Sequence, residues 1–203
     1  MLPKVYIEIE PFLVMIWAAV EEFRKECLGF ILGYRPTPKD NNFYITAVFP
    51  LQSVRRGRKG KALGEVEQTK HGRKRFKEFG KWLEAGRILK IGDFHSHTEY
   101  RGILPPAELS GSDKKSMEEN EIEIIISISS RKKGKAPWEA LSDGRVTGSF
   151  GKYNFLFGVH MLEKKIDDGD DRILEQKTVK NTDLLQIVAP SAIKALNRIQ
   201  LKL

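Results

Sequence analysis

Apolar and polar positions change period several times along the chain, and each change predicts an element. Val5 to Glu10 alternates like a half-buried strand. Pro11 to about Lys25 opens with an apolar run and predicts a helix, with the proline in its tolerated first turn. Cys27–Tyr34 is apolar and glycine-punctuated, a buried strand; Asn42–Leu51 alternates as a second, across the turn-forming Pro36–Asn41. A basic, glycine-containing loop covers about Ser53–Gly64. Gln68–Ala85 then places Phe76, Phe79, Trp82 and Leu83 on one helical face.

Ile88–His95 predicts the next strand, and Thr98–Leu109 a loop containing proline and glycine. Ser110–Asn120 predicts a short helix, and the isoleucine-rich Ile122–Ser129 a strand buried on both faces. Trp138–Leu141 and Arg145–Gly148 flank Ser-Asp-Gly, a hairpin signal. Tyr153–Glu163 is a further strand, Asp167–Asp171 an acidic turn, and Asp183–Leu201 a terminal helix interrupted by Pro190. Alternating strands and helices predict one α/β domain with a mixed central β-sheet flanked by helices. It spans residues 1–203, with a core over about 5–165 and a C-terminal extension, 166–203, carrying a helix.

Composition narrows the chemistry. At 40% hydrophobic the chain can bury a full core without staples. Its single cysteine, Cys27, permits no internal disulfide and no Cys-x-x-Cys metal site, so any metal must rest on histidines and carboxylates. The apolar run from Pro11 is about ten residues, where a membrane span needs roughly 20. A cytoplasmic protein without a membrane partner is expected. The net charge of +8 is uneven: Arg55, Arg56, Arg58, Lys59 and Lys61 are followed by Lys70, Arg73, Lys74, Arg75 and Lys77. With no aromatics interleaved in the first block to stack on bases, this 55–77 region reads as a solvated surface or a protein-docking face rather than a nucleic-acid interface.

Two of the four histidines flank one serine. Residues two apart on a strand point the same way, so His95 and His97 present two imidazoles together, as a zinc ion accepts. A third ligand has four candidates: Asp93, Glu99, Glu108 and Asp113. Ser110 and Asp113, three apart at a helix start, either share a pocket or simply form the helix cap. A hydrolytic site also needs a base, and Glu26, at the entry to an apolar strand, stands ahead of Glu21 and Glu22.

The segments Glu26-Cys-Leu-Gly-Phe-Ile-Leu-Gly33, Ile91-Gly-Asp-Phe-His-Ser-His97 and Ser110-Gly-Ser-Asp113 together resemble the JAMM motif of MPN-domain zinc metallopeptidases. The likeness runs from about Val5 to Ile128. It implies an MPN-like domain with cytidine-deaminase-like α/β/α layering. It implies zinc on His95, His97 and Asp113, Glu26 as general acid/base, Ser110 as oxyanion donor and Ser96 as a structural residue. It further implies hydrolysis of an amide or isopeptide bond, after the C-terminal glycine of a ubiquitin-like modifier, with that modifier or its conjugates as substrate. The chain departs from the family pattern in carrying Thr98 where proline is usual. Its twelve-residue Thr98–Leu109 spacing is also longer than usual, which sets a lengthened loop beside the cleft. Two other functions compete: a non-catalytic MPN-type interaction scaffold and a basic nucleic-acid-binding protein.

Overall fold

The computed structural model describes residues 2–52, 54–56, 66–86, 88–99, 103–130, 136–162 and 182–201. Its strands are β1 (Lys4–Ile7), β2 (Leu28–Tyr34), β3 (Asn42–Pro50), β4 (Val54–Arg56), β5 (Val66–Gln68), β6 (Leu89–Thr98), β7 (Ile122–Ser130), β8 (Glu139–Ala140), β9 (Val146–Phe150), β10 (Tyr153–Leu162) and β11 (Thr182–Val188). Its helices are α1 (Ile9–Glu21), α2 (Lys70–Ala85), α3 (Gly111–Ser116) and α4 (Pro190–Gln200). The expected Asp167–Asp171 turn and most of the Ser53–Gly64 loop lie outside the described residues.

Strand β1 pairs in parallel with β3 on one side and β11 on the other. From β3 the ladder runs antiparallel to β2 and on to β6, parallel to β7, then antiparallel to β10. Because β10 also pairs with β11, the circuit β11-β1-β3-β2-β6-β7-β10 closes on itself. Seven strands thus form a mixed barrel, β9 and β8 extend it from β10, and β4 and β5 make a separate ribbon.

This overturns the expected α/β architecture. The described chain is mostly β with four helices, and it is not an MPN-like α/β/α sandwich. Hydrophobic periodicity identifies strands but does not say whether the first meets the last. The meeting is made by β11, within the stretch expected to be a helix. There Leu185 and Ile187 alternate into the core, and the segment bridges β1 and β10. Pro190 does not interrupt a helix. It starts α4 at the position where a missing N–H costs nothing.

The strands' inner faces meet in one cluster that includes Ile31, Phe43, Ile45, Phe94, Ile124, Ile126, Phe155, Phe157 and Val159. Helix α1 adds Phe12, Met15 and Ile16, with Phe12 stacked on Phe157 at 4.7 Å. Helix α4 adds Ala192 and Leu196. Each fully buried large side chain contributes on the order of 1.5–3 kcal/mol, and this cluster makes the barrel wall a rigid platform. A second, smaller cluster lies on the outer wall. Ala107, Leu109 and Met117 pack there against Ile125, Leu156 and Leu162. It fastens the segment from Ala107 to Met117 across β7 and β10.

Candidate metal centre

Alternation along β6 sends Phe94 inward, fully buried in the main core, and leaves Asp93, His95 and His97 on the outer face. Ser96 also turns away from that face, and its hydroxyl accepts the Cys27 N–H at 2.9 Å. The parallel register of β6 and β7 sets Glu123 level with Asp93, and Ser127 level with His97. Glu123 reaches His95, its Oε1 lying 2.7 Å from Nδ1. The opposite ring nitrogen, Nε2, faces His97 Nε2 at 3.1 Å.

Asp113 arrives from the other side on α3. Ser110 caps this helix: its hydroxyl accepts the Asp113 N–H at 3.2 Å, and its own N–H donates to Asp113 Oδ2 at 2.7 Å. That same Oδ2 lies 3.5 Å from both His95 Nε2 and His97 Nε2. The cap and the shared pocket are therefore one arrangement, because the reciprocal bonds fix the carboxylate that the histidines meet.

The three atoms form a triangle with sides of 3.1, 3.5 and 3.5 Å. Tetrahedral zinc with bonds of about 2.0–2.1 Å holds neighbouring ligand atoms roughly 3.3–3.4 Å apart. The group fits such an ion, and two imidazoles plus one carboxylate leave a fourth position open. His95, His97 and Asp113 can thus hold a metal ion.

Electrostatics follow from this crowding. Burial alone would favour neutral His95, but hydrogen bonds to Asp113 and Glu123 outweigh it and push its pKa up to about 10. Burial would likewise raise Asp113, yet its bonds to His95 and His97 hold that carboxyl far below the usual range.

Of the other third-ligand candidates, none joins this group. Glu99 accepts from the Ser130 N–H and hydroxyl at 2.8 and 3.0 Å, and Glu108 is exposed. Asp93 pairs with Lys90 at 2.9 Å, and its pKa is raised to about 7, burial being the largest cause. Lys90 also meets Glu121 at 2.6 Å, which Arg35 approaches at 3.2 Å.

Glu26 stands just before β2. Leu28 pairs with His95, and the Ser96 N–H donates to Cys27 O at 3.1 Å. Glu26 thus lies two residues before the β2 residue that pairs with His95. Glu21 is exposed on α1. Cys27 is buried and its thiol pushed up to about 11, chiefly by burial, so it is no nucleophile.

The segment carrying Ser110 and Asp113 is held at a definite height above the wall. His160 Nε2 bonds Ala107 O at 2.9 Å, and burial lowers the pKa of that histidine. At Gly158 a Cβ would sit 2.5 Å from the same carbonyl oxygen, so the close approach requires glycine.

Sequence reasoning missed Glu123. The available signal was a lone carboxylate inside an isoleucine run, since buried carboxylates need partners. Of the 55–77 region, Lys70, Lys74, Arg75 and Lys77 are exposed on α2, whereas the side chains of Arg55, Arg56 and Arg73 and residues 57–61 lie outside the description. Among the described residues no helix is long and apolar enough to cross a membrane.

No protein-family model matches the chain, and no curated protein does. Among solved structures, the solution structure of a protein from Desulfitobacterium hafniense is similar at a TM-score of 0.51 and 16% identity. The match covers 91% of this chain and 92% of that one. A likeness at that identity shows the fold alone.

Proposed function

We propose that the chain is a zinc metallopeptidase of JAMM type, hydrolysing an amide or isopeptide bond. The observation that carries this is the meeting of His95, His97 and Asp113, from two separate elements, with their ligand atoms within 4.8 Å of one another. With the expected layering overturned, the family resemblance rests on the motif residues and their order alone. Zinc held by such a set supplies Lewis acidity toward a carbonyl oxygen and toward water. Glu26, two residues before the partner of His95 on β2, takes the proton of the attacking water and hands it to the leaving amine. The Ser110 hydroxyl, beside Asp113, donates to the carbonyl oxygen as negative charge develops there. The substrate proposed from the motif is a conjugate of a ubiquitin-like modifier, cut after its C-terminal glycine. The compartment proposed is the cytoplasm.

The test is zinc content of the purified chain, with turnover of a panel of modifier fusions and isopeptides. The parent is expected to hold one zinc and cleave at least one substrate. Glu26→Gln is expected to keep the zinc and lose about 10²–10⁴ in rate. Full activity in that variant removes Glu26 from the mechanism. A well-folded parent that takes up no zinc returns the chain to the scaffold reading.

A further inference from the structure

We infer that Glu123 is the positioning residue that aims His95 at the metal, an inference resting on the metal centre proposed above. Its Oε1 lies 2.7 Å from His95 Nδ1, a charge-assisted distance. With the Nδ1 proton so held, Nε2 is the nitrogen that points toward His97 and Asp113, and the one that would take a metal once its own proton is displaced. Both partners are buried, with relative exposures of 9% for Glu123 and 6% for His95. The contact is therefore not a loose surface pair that solvent can replace.

The surroundings argue that Glu123 is there for the histidine rather than for the barrel. On the outer face its neighbours along the chain are Glu121, just before β7, which pairs with Lys90 at 2.6 Å, and the buried Ile125. Across β6 the residue level with it is Asp93, a second carboxylate, whose Oδ2 is held by Lys90 at 2.9 Å. Lys90 answers the charges of Asp93 and Glu121, whereas the side chain that Glu123 meets is the His95 ring. The His95 ring gives Glu123 its compensation, and a metal ion on the far side of that ring would take over this role when bound. The acid then acts through the imidazole, without touching substrate or metal.

The test uses the full chain, stripped with a chelator and titrated with zinc against a chromophoric competitor. Thermal unfolding of the metal-free form is followed in parallel. Glu123→Ala is expected to bind zinc about 10–100-fold more weakly than the parent. Glu123→Gln, whose amide oxygen still accepts the Nδ1 proton, is expected to recover most of that loss. Cobalt substitution adds a spectroscopic readout, with the ligand-field bands of Glu123→Ala displaced and those of Glu123→Gln close to the parent. Equal zinc affinity in Glu123→Ala and the parent overturns the inference. So does a loss that Glu123→Gln does not relieve while its metal-free unfolding matches the parent's. If the parent itself binds no zinc, it is the proposed function that fails.

Discussion

Strands β6 and β7 carry two different kinds of order on their two faces. Inward, Phe94, Ile122, Ile124, Ile126 and Ile128 join the main core at no more than 1% exposure. Outward, the same strands present Asp93, His95, His97 and Glu123, half-buried or buried, each in polar contact. The inner face is tolerant of identity and sensitive to volume, since close packing asks only for apolar shapes that fill the space. The outer face is sensitive to atom positions, since the triangle around a metal has little slack. The rigid inner face is what allows the outer one to hold its geometry.

The largest expected effect separates the faces directly. Ile124→Ala removes an inward side chain with no exposure and is expected to cost about 2–5 kcal/mol of unfolding free energy. Native-state zinc stoichiometry should be unchanged. Loss of zinc from the folded variant would show that the faces are not separable. Next in size, Gly158→Ala drives a methyl against Ala107 O and should cost about 1–3 kcal/mol. Because Ala107 belongs to the segment that delivers Asp113, zinc affinity should fall with it, as competition titration would show. Unchanged affinity would mean that Asp113 is placed independently of this contact.

Per unit of pH the effect is smaller again, a pair of opposed pH trends. In the metal-free protein His95 has a folded pKa of about 10, raised from its ordinary 6.5. Its contribution to stability is thus complete below about pH 6.5 and is lost as pH rises toward 10. Zinc must displace the same proton, so its affinity should climb by up to about tenfold per unit across that window. Melting of the metal-free form and zinc titration at pH 7, 8 and 9 check both slopes. Parallel slopes would show that a group other than His95 governs one of them.

Much of the local structure was legible in the sequence. The apolar stretch before Tyr34, the alternation after Asn42 and the isoleucines after Glu121 each appear as strands near their expected bounds. The pairing of His95 with His97 follows from strand geometry, and the capping relation of Ser110 and Asp113 from their spacing. Three things were hidden. Asp183–Val188 carries enough apolar residues to suit a helix or a strand, and its partners β1 and β10 lie far away in sequence. Glu123 is invisible as a neighbour of His95 until parallel pairing brings the strands together. The choice of Asp113 over Asp93, Glu99 and Glu108 depended on where the fold brings each carboxylate: Asp93 meets Lys90, Glu99 meets Ser130, and Glu108 is exposed.

By itself the sequence determined the residue types able to hold a metal, the local periods, and the turn and cap that shape each element. These are short-range properties, set by alternation, helical spacing and backbone preference within a few residues. Only the tertiary structure decided that the sheet closes as a barrel rather than lying between helix layers. It alone brought one aspartate to the two histidines and a buried glutamate behind one of them. Closure and convergence depend on contacts between residues tens of positions apart, whose energies reside in the assembled wall and leave no mark on any local stretch of chain.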